Sequence, residues 1–247
     1  MKHLMEKAYP KPEPVGKDVI NAKANRAFEV IDATLLEKSK PYWRKSNGFS
    51  PSATNECARR FTYLLEGVEI KPDVGEQLRR IFDNGDDVHS RIVRYFEQSA
   101  ILVEAERRLL TEGVPISGYI DAIIQVDGMQ FIVEIKSINE RGFDARKNMR
   151  RPKDDHYKQI QLYMWGTGIH QGIVWYENKN TQAWLPLVVT YNEEYVTPII
   201  ERYGRIYALH LKGEIPKRPH RQNTKICQGC DVKDRCWSDD REGTEKL

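Results

Sequence analysis

Apolar side chains recur at helical spacing through the first hundred residues; in the first stretch they are Ala27, Val30, Ile31 and Leu35. This period predicts amphipathic helices. The predicted helices cover roughly residues 19–38, 52–65, 74–82 and 88–96. Ser52 is placed to cap the second helix, and Lys71-Pro72 separates it from the third. The break at Asn84-Gly85 leaves open whether the last two are separate or form one broken helix.

The middle of the chain changes to a strongly apolar pattern that is typical of strands. Residues 116–126 and 129–137 are rich in Ile, Val, Tyr and Phe, and only Asp127-Gly128 separates them. An Asp-Gly pair between two such runs is a strong signal for a tight β-hairpin.

The second half alternates between helical and strand patterns. It predicts a polar, basic connection over 140–158, a helix over 157–165, strands over 173–177 and 183–189, and a final helix over 196–207. Pro198 is expected to start or kink this last helix. Helices that flank a central sheet make the predicted fold α/β or mixed α+β.

A two-residue turn fixes the register of the predicted hairpin, so that Asp121 lies opposite Glu134 and Lys136 shares the face of Glu134. At the spacing of opposed residues, about 5 Å between Cβ atoms, two carboxylates repel unless a cation or a proton lies between them. A hard cation such as Mg²⁺ prefers such oxygen ligands. The alternative is a solvated strand face. The flanking Ile and Val residues argue against it, because they indicate strands buried on both faces.

Length and charge limit the classes of protein that fit. The chain has 247 residues and a net charge of +3. This length suits one large domain or two small ones, and cysteines near both ends favour one. A charge so near zero does not by itself indicate nucleic-acid binding, which would rest on local basic clusters. No apolar run approaches the about 18 residues that span a bilayer, and residues 1–7 lack the apolar stretch of a signal peptide, so we expect a cytoplasmic protein without membrane contact.

The chain has four cysteines: Cys57, Cys227, Cys230 and Cys236. Without a secretory signal they are expected to be thiolate ligands or free thiols rather than disulfides. Four thiolates suit either zinc or an iron–sulfur cluster, and their spacing does not distinguish the two.

Several motifs in chain order resemble the PD-(D/E)XK nucleases, and within them the RecB-like branch that includes the AddB nuclease domain and the CRISPR-associated RecB-like exonucleases. Glu134-Ile135-Lys136 resembles the (D/E)XK signature, and Gly118-x-x-Asp121 resembles the G-x-x-D of the branch. Gln159-x-x-x-Tyr163 is similar to its Q-x-x-x-Y motif, and His89 in Gly85-x-x-x-His89 is similar to its helical histidine. Ile120 stands where the family name has Pro.

This resemblance implies a restriction-endonuclease-like core with a central mixed sheet, and a catalytic site. It implies that Mg²⁺ or Mn²⁺ is held by His89, Asp121, Glu134 and the backbone carbonyl of Ile135. Lys136 would orient or deprotonate the attacking water. Gln159 and Tyr163 complete the implied catalytic set, where Gln can hydrogen-bond a phosphate or a water and Tyr can donate or stack.

The cysteines extend the resemblance. One upstream cysteine and three near the C-terminus resemble the [4Fe–4S] staple of the same branch, and Cys57-Ala58-Arg59-Arg60-Phe61 is similar to its C-P-R-R-F segment with Ala58 in place of Pro. The implied fold therefore carries a cysteine-stapled helical cap, with Zn²⁺ as the alternative occupant. The predicted organisation is a helical extension over 1–50, a nuclease domain over 51–237 and a polar tail over 238–247.

The expected function is a metal-dependent exonuclease acting on single-stranded DNA ends in recombination, repair or CRISPR adaptation. Aromatic side chains such as Tyr157 and Trp165 are candidates for stacking on bases, whereas Trp175 and Tyr176 are expected in the core. Basic residues over 140–158, and others around the cysteines, are candidates for phosphate contacts; the latter are Arg59, Arg60, Lys217, Arg218, His220 and Arg221.

Two alternatives and the question of partners stay open. One alternative is a structure-specific endonuclease, and the other is a non-catalytic DNA-binding adaptation partner of the same fold, which would be expected to lose Glu134 or Lys136. The chain lacks a Gly-rich helicase loop, so unwinding would come from a helicase or from CRISPR adaptation proteins. The sequence does not indicate the oligomeric state.

Overall fold

We describe the fold from a computed structural model, in which residues 17–37, 40–70 and 74–247 are described. The expectations for residues 1–7 and for the separation at Lys71-Pro72 lie outside these residues. The helices are α1 Lys17–Glu37, α2 Ala58–Glu66, α3 Glu76–Gln98, α4 Glu140–Met149, α5 Asp154–Thr167, α6 Glu193–Leu211, α7 Lys225–Gln228 and α8 Lys233–Ser238. The strands are β1 Tyr42–Arg44, β2 Val68–Ile70, β3 Leu102–Leu110, β4 Ser117–Val126, β5 Met129–Ile138, β6 Gln171–Asn178 and β7 Trp184–Thr190.

A five-stranded sheet with the order β3-β4-β5-β6-β7 forms the centre of the molecule. Its neighbouring strands are antiparallel except for β5 and β6, which run parallel. The sequence between them contains α4 and α5, as a parallel crossover requires. This mixed sheet with flanking helices confirms the predicted fold class.

Both faces of the central strands are buried. On one face Ile123 and Ile132 join a large cluster with Ile160 of α5. On the other face Ile135 packs with Ile92 of α3. The prediction that the hairpin strands are buried on both faces is therefore confirmed, and a charged residue on them needs a partner.

The predicted hairpin is present. Val126 pairs with Met129, and the pairing continues in the same register to Ala122 and Val133. Asp127 has φ of 48° and Gly128 has φ of 82°. A two-residue turn with both central φ angles positive matches the right-handed twist of the strands, which explains why an Asp-Gly pair specifies it.

Several helix predictions were wrong in detail. Cys57 occupies the N-cap of α2, so the helix begins after Cys57 and Ser52 does not cap it. The segment around Gly85 lies inside one continuous helix, α3. Part of the predicted basic connection forms α4. Pro198 lies inside α6 and so does not start it, and the alternative that it kinks the helix stays a prediction. The structure also has a strand, β3, that the sequence pattern did not predict.

The C-terminal segment packs against α2 and the β1–β2 pair to form a cap. Its apolar contacts join Tyr63 and Leu64 to Ile215 and Val232. Arg60 of α2 makes two hydrogen bonds of 2.7 Å to the carboxylate of Asp231. The division of the chain into 1–50, 51–237 and 238–247 stays a prediction. Within the described parts of the chain, no helix is long and apolar enough to cross a membrane.

Candidate active site

The hairpin strands separate where the acids lie. The backbone pairing of β4 with β5 ends at Ala122 and Val133, one residue before Asp121 and Glu134. Instead, Oδ2 of Asp121 accepts a hydrogen bond of 2.7 Å from the backbone N–H of Ile135. The Asp121 side chain is thereby attached to the strand that carries Glu134.

Glu134 is fully buried, with 0% of its surface exposed. The ammonium of Lys136 forms an ion pair with its Oε1, which confirms that the two side chains share a face. Apart from this ion pair, neither carboxylate oxygen has a hydrogen-bond partner among the described residues. Burial, and then the charge of Asp121, raise the pKa of Glu134 to about 8. A buried carboxylate of this kind is stabilised only by a cation or a proton.

The nearby carboxylates favour the charged form of the Lys136 ammonium. Burial acts to lower the pKa of its ammonium, but the carboxylates of Glu134 and Asp121 raise it above the usual value. The ammonium is therefore held in its charged form beside the acids.

His89 projects from α3 toward Asp121 and toward a residue that sequence reasoning missed, Glu106 of β3. The Nε2 atom of His89 lies 3.2 Å from Oδ1 of Asp121, and its Nδ1 atom lies 3.5 Å from Oε1 of Glu106. Burial opposes protonation of His89, while the charges of Asp121 and then Glu106 raise its pKa. No sequence signal marked Glu106, because the strand that carries it was not predicted.

Helix α5 places Gln159 and Tyr163 over the same strands. Gln159 Nε2 donates to the hydroxyl of Tyr163 at 3.2 Å, and that hydroxyl donates to the backbone carbonyl of Tyr119 at 2.7 Å. A Cβ atom built on Gly118 would lie 3.3 Å from the Tyr163 hydroxyl, so glycine allows this close approach. Burial, and then the charge of Glu134, raise the pKa of Tyr163. The residues of the two motifs, Gly118-x-x-Asp121 and Gln159-x-x-x-Tyr163, are thus in contact.

His156, one turn before Gln159, is a second residue that sequence reasoning did not select. Its Nδ1 atom lies 2.8 Å from the hydroxyl of Tyr176. Burial, and then the charge of Lys136, lower its pKa to about 4. The imidazole is therefore neutral at ordinary pH, close to the ammonium of Lys136.

A cleft of about 720 Å³ gives access to these groups. His89, Asp121 and Lys136 lie in its wall together with Glu106 and Ile135. Most of the predicted metal and catalytic residues thus share one cleft, while Gln159 and Tyr163 lie buried behind it.

The donor atoms suit a hard divalent cation, because they are carboxylate oxygens and an imidazole nitrogen. The buried carboxylate of Glu134, whose ion pair with Lys136 is its one polar contact among the described residues, is the observation that favours such an ion. As the side chains stand, they contact one another: within residues 17–37, 40–70 and 74–247, no three His, Cys, Asp or Glu side chains are arranged so that they could hold a metal.

The four cysteines lie at the cap as free thiols. Burial, and then the nearby Cys236 and Cys227, raise the pKa of Cys57. Burial, and then the charge of Asp231, raise the pKa of Cys230 to about 11, and Cys57 adds to this rise. Cys57 is therefore near enough to Cys227, Cys230 and Cys236 for their charges to influence one another, while a shared site of all four stays a prediction.

Some of the basic residues beside the cysteines are buried or paired, and their role is structural. Arg59 is 1% exposed and donates to the carbonyls of Pro216 and Arg241. Arg60 pairs with Asp231, and Arg218 donates to the carbonyl of Cys236 at 2.7 Å. The expectation that Arg59 contacts phosphate was therefore wrong, since its guanidinium connects α2 to the C-terminal segment.

The fold and these side chains define a class of protein, a nuclease built on a mixed sheet with acids at its hairpin. Residues 91–237 match the family model described as the PD-(D/E)XK nuclease superfamily. Because this match spans more than half of the chain, the chain belongs to the PD-(D/E)XK nuclease superfamily. The matched region contains Asp121, Glu134, Lys136, Gln159 and Tyr163, and it begins after His89.

Solved structures with a similar fold include "Crystal structure of SSO0001", at 18% identity, with 85% of this chain and 95% of that chain covered and a TM-score of 0.47. An alkaline exonuclease, LHK-Exo from Laribacter hongkongensis, has 12% identity, with 75% and 93% covered and a TM-score of 0.48. LHK-Exo in complex with dAMP has 14% identity, the same coverage and a TM-score of 0.46. Identities and scores this low do not define what this chain does. No curated protein gives a significant match.

Proposed function

We propose that this chain is a Mg²⁺- or Mn²⁺-dependent exonuclease of the RecB-like branch, which hydrolyses single-stranded DNA from a free end. The observation that carries the proposal is the buried carboxylate of Glu134, which pairs with Lys136 next to the cleft that Asp121 and Lys136 line. His89, Asp121, Glu134 and the carbonyl of Ile135 would hold the ion. The ion would lower the pKa of a bound water and stabilise the charge that develops on the scissile phosphate.

Lys136 has two properties that suit the water-positioning role. Its ammonium stays charged beside the two carboxylates, and it lies in the wall of the cleft. It can therefore donate a hydrogen bond to a nucleophile or to a phosphate oxygen. Gln159 and Tyr163 support the acids from behind, since the Tyr163 hydroxyl fixes the backbone of β4 two residues before Asp121.

A single-stranded substrate is supported by a groove next to α5. This groove, of about 530 Å³, is lined by Arg150, Arg151, Tyr157, Tyr195 and Val188. The rings of Tyr157 and Tyr195 meet edge to face with centroids 4.9 Å apart. Tyrosines beside arginines can stack on unpaired bases and contact the phosphates between them, with little dependence on base sequence.

The cysteines support a [4Fe–4S] cluster at the cap, with Zn²⁺ as the alternative. Three of them lie within ten residues of one another near the C-terminus, and the charges of Cys227 and Cys236 act on Cys57, which supports this site. Four thiolates are a complete ligand set for either occupant. The role of this site would be structural, because it would connect α2 to the C-terminal segment.

The test compares linear single-stranded DNA, circular single-stranded DNA and blunt duplex, each with Mn²⁺. We expect degradation of the linear strand alone, weaker at higher salt because phosphate contacts release counterions. Asp121→Asn keeps an oxygen that can accept from Ile135 but removes the charge, and should abolish cleavage. Asp127→Asn, the same change at the exposed hairpin turn, is the matched control and should retain it.

Two outcomes would contradict the proposed exonuclease and indicate a different function. Cleavage of the circular strand would indicate an endonuclease on the same hairpin. Unchanged DNA in every reaction, together with equal DNA binding by the native chain and Asp121→Asn, would indicate a non-catalytic DNA-binding protein.

A further inference from the structure

The position of Glu106 in the sheet puts it next to the candidate active site. On β3 and β4, Ala105 pairs with Ala122 and Arg107 pairs with Ile120, so Glu106 stands opposite Asp121 between these two pairs. Asp121 therefore has Glu106 on one neighbouring strand and Glu134 on the other. Nothing in the E-x-K or G-x-x-D motifs includes a residue on this strand.

The backbone at Glu106 is unusual. Its φ is 52°, in the left-handed region that costs residues other than glycine about 1 kcal/mol or more. The strand is also irregular nearby, with a register shift between Leu102 and Glu104. Irregularities of this kind redirect a side chain out of the ordinary alternation of a strand. The carboxylate of Glu106 lies in the wall of the cleft, 3.5 Å from Nδ1 of His89.

We propose that Glu106 is a positioning residue that orients His89 for metal binding. The inference rests on the proposed function, since it assumes that His89 is a metal ligand. A carboxylate at Nδ1 favours the tautomer with its proton on that atom, and this leaves the lone pair of Nε2 available. In the structure Nε2 is the atom directed at Asp121, at 3.2 Å.

The test measures Mn²⁺ binding to the full chain by isothermal titration calorimetry without DNA. Glu106→Gln should weaken binding about 10- to 100-fold, the usual range for loss of a carboxylate behind a histidine ligand. Glu104→Gln is the matched control. Glu104 lies two residues away on the same strand, about half exposed and 3.8 Å from Arg107, and its substitution should leave the affinity unchanged.

A second comparison separates positioning from direct ligation. In a His89→Ala background, Glu106→Gln should cause no further loss of affinity, because the ring that Glu106 orients is absent. An equal loss in both backgrounds would mean that Glu106 binds the metal itself, and would overturn the inference.

The failure of this inference is distinguishable from failure of the proposed function. If the native chain binds Mn²⁺ and cleaves DNA while Glu106→Gln binds as tightly as Glu104→Gln, the inference alone is wrong. If the native chain neither binds Mn²⁺ nor cleaves DNA, the proposed function is wrong and the inference falls with it.

Discussion

The hydroxyl of Tyr163 connects two buried polar groups, the side chain of Gln159 and the backbone carbonyl of Tyr119. Tyr163→Phe leaves both with one hydrogen bond fewer while it preserves the shape of the ring. Buried groups without their partners cost about 1–3 kcal/mol. We expect that loss in the free energy of unfolding measured with urea. Tyr119→Phe, on a side chain that is 57% exposed, should change it by less than about 0.5 kcal/mol.

His156 predicts how stability depends on pH. Its folded-state pKa of about 4, set first by burial and then by Lys136, lies below the about 6.5 of an unfolded histidine. As the pH falls, the unfolded chain therefore binds this proton first. The stabilisation is complete above about pH 6.5 and is lost as the pH falls toward 4. Between about pH 7.5 and 5 the loss from this residue should be about 2 kcal/mol.

Urea unfolding at both pH values isolates this contribution when the native chain is compared with His156→Gln. The glutamine cannot titrate, so the variant should lose about 2 kcal/mol less on acidification. His170→Gln changes an exposed histidine and should follow the native chain. Equal losses in the native chain and His156→Gln would show that His156 takes up its proton as readily in the folded state as in the unfolded one.

At the scale of the elements, Glu56 joins the segment before α2 to two helices of the core. Its carboxylate forms an ion pair with Lys158 of α5 and accepts a hydrogen bond of 2.9 Å from the hydroxyl of Tyr203 of α6. Arg202 of α6 also donates to its backbone carbonyl at 2.6 Å. These contacts hold the residue that precedes Cys57 against the nuclease core.

Glu56→Gln keeps the size of this side chain and removes its charge. The charged hydrogen bonds and the ion pair weaken, so the chain should lose about 1–2 kcal/mol of unfolding free energy, measured with urea. Glu69→Gln is a suitable control, because Glu69 is exposed on β2 and should give no measurable change. If both variants unfold at the same urea concentration as the native chain, Glu56 does not stabilise the junction.

How well each element could be predicted depends on how much of it is buried. The hairpin of β4 and β5 is buried on both faces and closed by Asp127-Gly128, so both its composition and its turn identify it. By contrast, α4 buries Phe143 alone among its residues, and so it shows no apolar period. In β3 only Leu109 is buried, and four of its nine residues are charged.

The same reasoning explains which site residues could be found from the sequence. Asp121, Glu134 and Lys136 share the hairpin, where a fixed turn makes the spacing informative. His89 could be selected only through the family motif, since it lies on a separate helix. Glu106 could not be found, because it lies on β3, a strand that the apolar pattern does not reveal.

At the scale of the whole molecule, α2 and the C-terminal segment meet at the cap. Arg59 of α2 donates to the backbone of the C-terminal segment, and Arg241 makes two hydrogen bonds to Glu66, of 2.7 and 2.9 Å. The pKa of Arg241 is raised by Glu66 and then by Asp239, which shows how closely these charges approach. These contacts therefore hold α2, which follows Cys57, against the C-terminal segment.

A covalent or metal link between Cys57 and the C-terminal cysteines would close a long loop. Closing a long loop restricts the unfolded chain more than closing a short one. We therefore expect that protein purified without oxygen is brown and holds about four iron atoms, as a [4Fe–4S] cluster requires. Cys57→Ser should lose the colour and part of the thermal stability together. Asp121→Asn, which leaves all four cysteines intact, should stay brown although it does not cleave DNA. A colourless, folded protein with one zinc ion per chain would assign the cysteines to zinc instead, and a folded protein with neither metal would make them free thiols.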